Sequence, residues 1–201
     1  MYKLRVYMTV PYLQPQFVAW LSSPTRARGY PPSEGDHSLF IEIEPALAIH
    51  KIADIAIKSS PTLEFGMLYT ERQFGLLELH AKDKQLLEVA GDNILTYLNV
   101  EKGQLTPPKV LYSDIVENIN DQHAIILNRT REASMIIPGE SLLVYELTPA
   151  LYAGLAANEA LKFAEVKLIH VDLIGASGRI FMSGSFQQLK KAQIQMDNVL
   201  Q

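Results

Sequence analysis

The chain contains no cysteine. That absence excludes disulfides, thiolate metal sites and a cysteine nucleophile together. Positive charge is also scarce. Eighteen Lys and Arg face 22 Asp and Glu, for a net charge of −4, so the electrostatic footprint of a nucleic-acid binder is missing. No apolar run reaches the roughly 18 charge-free residues that a membrane-spanning helix requires. The N-terminal stretch M-Y-K-L-R-V-Y-M-T-V lacks the apolar core and small-residue cleavage site of a signal peptide. A cytoplasmic protein fits these absences. What the chain has in quantity is apolar: 48% of its 201 residues are hydrophobic, enough for a packed core and too many for a disordered chain.

The chain also says nearly the same thing twice. Ser38–Leu47 reads S-L-F-I-E-I-E-P-A-L, and Ser141–Leu151 reads S-L-L-V-Y-E-L-T-P-A-L. An Ala-rich helical stretch follows each. The halves end alike, in D-N-I-L at Asp92–Leu95 and D-N-V-L at Asp197–Leu200. The spacing is about 104 residues, far beyond the roughly 20–50 of solenoid repeats, so the repeat is a duplicated domain. The boundary falls within 102–108, where Gly103 and the pair Pro107-Pro108 give turn signals. The expected domains are therefore residues 1–103 and 104–201.

Each half reads β-α-β-β-α, an α/β (α+β) fold. In the second half, Leu142–Leu147 is a strand. Thr148 and Pro149 look like an N-cap and first helical residue. Ala153, Ala156, Ala157, Ala160 and Ala164 recur at helical spacing, a small-residue stripe for close approach to a sheet. Strands over Val166–Leu173 and Arg179–Ser183 flank Gly175–Gly178, and Gln187–Leu200 is a helix. In the first half, strand Leu39–Ile43 leads through Pro45 into a helix to about Lys58, with Ile49, Ile52, Ala53 and Ala56 on one face. Leu63–Tyr69 and Leu76–His80 are strands, and Asp83–Leu98 is a helix. Ahead of each core lie further expected strands, at Lys3–Val10 and Phe17–Leu21, and at Val110–Ile115 and Ala124–Leu127. Ser22–Gly35 is a proline-rich loop. Phe17 and Trp20 belong to the core.

Catalytic signatures are absent. His50, His80 and His170 make no H-x-x-H or H-E-x-x-H pattern. His170 and Asp172 share a strand face at i, i+2, which suits a structural hydrogen bond. Ser38, Ser177 and Ser183 lie outside any G-x-S-x-G elbow. Gly175-Ala176-Ser177-Gly178 lacks the phosphate-loop pattern, and a strand rather than a helix follows it, so it reads as a tight turn. No cofactor, metal or catalytic residue is expected. Asn128-Arg129-Thr130-Arg131 reads as solvated surface or as the lining of a chamber. Lys58 and Lys162 close the two Ala-rich helices, where a cation favours the dipole by about 0.3–1 kcal/mol; a role at an edge contact stays open.

Ala157–Ile180, A-N-E-A-L-K-F-A-E-V-K-L-I-H-V-D-L-I-G-A-S-G-R-I, resembles the core of bacterial microcompartment (BMC) shell proteins. Two copies in one chain, each with a preceding strand segment, resemble the tandem, circularly permuted, trimer-forming branch (BMC-T), of the carboxysome CcmP type. L-R-V-Y, L-Q-P-Q, I-E-I-E-P, E-R-x-x-G, I-L-N-R and A-A-N-E-A carry the likeness across nearly the whole chain. The resemblance implies a structural shell protein rather than an enzyme. It implies a pseudohexameric homotrimer that tiles with hexameric shell proteins in the bacterial cytoplasm, and trimers that can stack face to face as a dimer of trimers. It places a pore at the axis, lined in the first domain by Tyr69, Thr70, Glu71, Arg72, Gln73, Phe74 and Gly75. In the second domain Gly175, Ala176, Ser177 and Gly178 form the equivalent loop, open or occluded. The resemblance makes Glu71 and Arg72 a gate. Three inward arginines favour small anionic metabolites, and an Arg fork can instead bond a carboxylate and close the opening. Gly75 and Gly66 are expected to give the loop room to move. An exposed turn with solvated charges is the plainer reading of Glu71-Arg72. A metabolite-binding regulatory oligomer is the alternative to a shell tile.

Overall fold

The structure is a computed structural model that describes residues 2–23, 29–101 and 105–201. Pro24 of the proline-rich loop, and Gly103 with the expected 103/104 boundary, lie outside the described residues. The chain divides into two compact units between Pro107 and Pro108. Hydrophobic alternation builds the first edge strand, β1 (Lys3–Val10), which buries Leu4, Val6, Met8 and Val10. Strand β2 (His37–Glu44) is buried on both faces and is followed by helix α2 (Ala48–Ser59). Strands β3 (Glu64–Thr70) and β4 (Gly75–Ala81) form a hairpin that leads into helix α3 (Lys84–Leu98). The sheet order is β1-β2-β4-β3, all antiparallel. Ile49, Ile52 and Ala56 of α2 pack with Leu87, Ala90 and Ile94 of α3 against Leu39, Ile41, Leu77 and Leu79.

The second unit repeats this plan with β5 (Lys109–Val116), β6 (Ser141–Thr148), α5 (Tyr152–Phe163), β7 (Lys167–Asp172), β8 (Gly178–Gly184) and α6 (Phe186–Val199). Its sheet order is β5-β6-β8-β7. Ala153, Ala156, Ala157 and Ala160 are buried on α5 as their spacing predicts, while Ala164 is the C-cap. The α/β class and the β-α-β-β-α order of each core stand as read from the sequence. The two edge pairings even share a bulge, which leaves Arg5 out of register on β1 and Leu111 on β5.

Three expectations give way to the structure. The segment ahead of the first core is helix α1 (Pro15–Leu21), not a strand over 17–21. Pro15 at its start suits a helical first turn, and the buried residues Phe17, Trp20 and Leu21 follow i, i+3, i+4 spacing. The corresponding segment of the second unit is helix α4 (Asp121–Thr130), not a strand over 124–127. There Asn120 caps the His123 N–H at 2.9 Å, and the helix buries Ala124 while Ile125 and Ile126 stay exposed, at 55% and 60%. Finally, Thr148-Pro149 does not open α5. It is a cis peptide at the end of β6, as Glu44-Pro45 is after β2. Each helix starts three residues later, with Leu47 or Leu151 at the N-cap.

Two glycines at the loop ends have a packing role that the sequence did not announce. Gly75 and Gly178 start β4 and β8 against the beginnings of α2 and α5. A Cβ at Gly75 would run into the Ala46 carbonyl oxygen and stand 2.5 Å from the Ile49 Cβ; one at Gly178 would meet the Ala150 carbonyl oxygen and stand 2.8 Å from the Ala153 Cβ. These glycines serve close packing. Gly178→Ala is expected to cost about 1–3 kcal/mol, the usual penalty of overpacking, read as a lower urea midpoint. An unchanged midpoint contradicts this account.

Candidate functional site

Both hairpins end in a short loop at the same register. Thr70 pairs with Gly75 across the first, and the Glu71 N–H donates to the Phe74 carbonyl at 2.8 Å. Arg72 and Gln73 are exposed at its tip; Tyr69, Thr70, Glu71 and Phe74 are half-buried. Gln73 Nε2 donates to Glu44 Oε1 at 3.4 Å. Among the described residues Glu71 and Arg72 form no ion pair. The sequence places these residues on one loop, and the structure keeps them there.

An ion pair that the sequence reading missed anchors the loop from below. Arg5, the bulged residue of β1, reaches Glu42 Oε1 at 2.6 Å and lays its guanidinium 3.7 Å from the centre of the Phe74 ring. Glu42 sits on the central strand and is 1% exposed. Burial pushes its carboxyl up to about 7, against the pull of Arg5. The Phe74 side chain of the loop is thus tied to the sheet through a cation held between a buried acid and an aromatic face. The signal was present in the repeat itself, because Glu42 of I-E-I-E aligns with Glu146 of V-Y-E-L.

In the second unit that aligned glutamate faces other partners. Glu146 Oε1 accepts from Ser177 Oγ at 2.5 Å and from Arg179 Nε at 3.2 Å. The Ser177 hydroxyl, and next the Arg179 guanidinium, hold its carboxyl below the usual range. Thr148 Oγ1 donates to the Ala176 carbonyl at 3.1 Å, and the Ile174 N–H donates to Asp172 Oδ1 at 3.1 Å. Gly175 takes φ +124° in open space. This loop is stitched by side chains to its own sheet and presents small residues.

The remaining candidates make contacts within their own unit. No group of three or more His, Asp or Glu side chains among the described residues could hold a metal ion. His170 Nδ1 lies 3.8 Å from Glu132, while Asp172 serves the Ile174 N–H. Lys58 and Lys162 fold back on their own helices, onto Asp54 at 2.8 Å and Glu159 at 2.5 Å. Asn128 bridges the Ile136 backbone, at 2.8 Å to its carbonyl and 3.0 Å from its N–H.

Comparison with known proteins gives this geometry a context. The family model of the CsoS1D N-terminal domain matches residues 4–104. The carboxysome shell protein CsoS1D of Hydrogenovibrio crunogenus is 36% identical over 193 residues, covering 96% of this chain and 93% of that protein. The carboxysome shell protein CcmP of Synechococcus elongatus is 37% identical over 182 residues, covering 90% and 84%. Among solved structures, the double ringed trimeric shell protein MSM0271 from the RMM microcompartment is 46% identical. It superposes with a TM-score of 0.95, covering all of this chain and 96% of its own. The fused permuted hexameric shell protein MSM0275 from the same microcompartment is 37% identical, with a TM-score of 0.94, covering 98% and 96%.

Removing Arg5 leaves the Glu42 carboxylate buried without its partner, which typically costs about 3–5 kcal/mol. Glu42 binds its proton more tightly in the folded chain than at its ordinary value of 4.5. Its contribution to stability is therefore fully present below pH 4.5 and declines as pH rises to about 7. Arg5→Met is expected to destabilise strongly at pH 8.5 and much less at pH 5.5, where Glu42 is neutral. Arg5→Met/Glu42→Gln is expected to flatten that difference. Urea unfolding at the two pH values reads it, and an equal penalty at both counts against the pairing.

Proposed function

This chain belongs to the CsoS1D and CcmP family of microcompartment shell proteins, a structural family and not an enzyme family, and we propose that three copies of it form a pseudohexameric tile with a gated metabolite pore. The tile sits in the shell of a bacterial microcompartment and packs beside hexameric shell proteins. Two similar units per chain give a trimer six alike edges, which a hexagonal layer needs and an open filament does not supply.

One observation carries the pore reading. The loop over residues 71–74 offers Glu71 and the exposed Arg72 with no ion-pair partner inside the protomer among the described residues, at the same register as the loop 174–177 in the other unit. Around a three-fold axis, three such loops bring three Arg72 and three Glu71 together. Turned inward, the arginines make a cationic constriction suited to small anions. Paired with Glu71 of a neighbouring copy, they close it. A solvated ion pair is worth only about 0–1 kcal/mol, so both arrangements are populated and a ligand shifts them by its differential affinity. The second loop, tied down by Glu146 and Thr148, is the fixed counterpart. The relative described as double ringed supports stacking of two such trimers into a chamber.

Light scattering is expected to give the mass of three or six 22.5 kDa chains; a monomer removes the tile. Structures of particles bearing Glu71→Ala or Arg72→Ala are expected to lose the closed pore and keep the open one. A variant that samples both states as the parent does removes the gate and leaves the tile standing.

A further inference from the structure

The first unit carries a half-open cavity far from the hairpin tip, at the opposite end of β3 and β4. Its volume is about 380 Å³, and Asp36, Thr62, Glu64, His80, Lys82 and Asp83 line it with apolar Pro31 and Leu86. His80 is only 3% exposed. Its Nδ1 meets Glu78 Oε2 at 3.2 Å, but its Nε2 has no hydrogen-bond partner and faces Glu64 Oε2 at 3.5 Å. A buried ring nitrogen left unsatisfied costs free energy and asks for a partner. Glu78 behind it is fully buried, accepts a hydrogen bond from Ser38 Oγ, and is admitted by Gly66, whose Cβ would collide with its carboxylate.

The second unit shows what this position holds when it is filled. By strand register, Lys167 stands where the first unit has Glu64, and Ser183 where it has His80. Glu140, ahead of β6, stands where Asp36 precedes β2. The Lys167 ammonium donates to Glu140 at 2.6 and 2.7 Å and to the Met135 carbonyl at 3.0 Å; Ser183 Oγ donates to Glu140 at 3.0 Å. The second unit thus supplies a butylammonium group from its own chain. The first unit keeps one acid, Asp36 for Glu140, and replaces the lysine with a glutamate and a cavity.

We propose that the cavity among Asp36, Glu64 and His80 binds a small primary ammonium compound. An ammonium offers three donors; Glu64 Oε2 and His80 Nε2 stand 3.5 Å apart to take two of them, and Asp36, whose Oδ2 already accepts from the Ser33 N–H at 2.7 Å, lines the same cavity with its other oxygen. Four carboxylates, Asp36, Glu64, Glu78 and Asp83, outnumber Lys82 and His80, so the site is negative whether or not His80 carries a proton. The alkyl portion lies against Pro31 and Leu86. A metal ion is the weaker fit, since no group of three or more His, Asp or Glu side chains among the described residues is close enough to hold one, whereas an ammonium bonds at the longer spacing of N–H hydrogen bonds.

His80 is faced by Glu78 on its own strand, Ser38 on β2, Glu64 on β3 and Asp36 on the preceding loop, with Lys82 and Asp83 at the rim. Burial opposes its charge, but the hydrogen bond and charge of Glu78, with Glu64 and Asp36, raise its pKa overall. Proton and ligand compete, so affinity rises with pH.

The test titrates the assembled protein with n-butylammonium chloride at constant ionic strength, following the His80 imidazole by NMR and heat by calorimetry, with sodium and tetramethylammonium chlorides as controls. Expected are saturable binding of n-butylammonium alone and tighter binding at pH 8.5 than at pH 6. Asp36→Asn is expected to weaken binding about tenfold, as for loss of a charged hydrogen bond. Glu64→Lys, at a half-solvated position, is expected to fold, to place its own ammonium in the cavity and to abolish binding. No saturable shift above the sodium control overturns the proposal. So does equal binding of tetramethylammonium, which has no N–H to donate, or undiminished binding by Glu64→Lys.

Discussion

The close approach of β4 and β8 to the helices α2 and α5 fixes where both hairpin tips begin. Gly75 and Gly178 meet a helix start at contact distances that no side chain tolerates. Because both units obey this constraint, their loops leave the sheet at the same register. The double burial of the central strand works with it. β2 is covered on both faces, so its register against β1 and β4 cannot slip by one residue without carrying Ser38 and Glu42 into the apolar core that Leu39, Ile41 and Ile43 occupy. The scaffold is therefore held constant in both units while the tips are free to differ.

The differences between the units are changes in where charge comes from. At one central-strand position both units keep a glutamate. In the first, Glu42 is buried, draws Arg5 from the edge strand and pins Phe74 beneath the tip. In the second, Glu146 is partly exposed, takes Ser177 and Arg179 from the hairpin itself and stitches the loop shut. At the far end of the same strands, Lys167 and Glu140 close one site, while Glu64, His80 and Asp36 leave its counterpart open. Duplication gives each position two versions, held by different side chains in the two units.

Much of this was legible in the sequence. The repeat around Pro45 and Pro149, the alanine stripe of α5 and the alternation in β1 gave the fold and the β-α-β-β-α order, because each is a periodicity of local residues. What the sequence concealed is non-local. The run A-I-I-L at 124–127 looks like a strand because its apolar residues are adjacent; it is a helix because Asn120 caps it. Pro149 looks like a helix start because trans proline suits that place, whereas the chain uses it in cis before a helix that begins at Tyr152. Arg5 and Glu42 are 2.6 Å apart only because a bulge shifts β1, and no spacing along the chain announces a bulge. Likewise His80, dismissed for lacking a metal pattern, gains its interest from comparison with Ser183 in the paired unit.

The central claim is that the loop over residues 71–74 lies on the three-fold axis of a trimer. The absence of cysteine allows one label per chain at any chosen place. Spin labels at Arg72→Cys and, separately, at Lys58→Cys, followed by pulsed dipolar spectroscopy, measure the two spacings in solution. The account predicts one short distance among the three labels at 72, and a longer one at 58. No dipolar coupling at 72, or a spacing there longer than at 58, would contradict it.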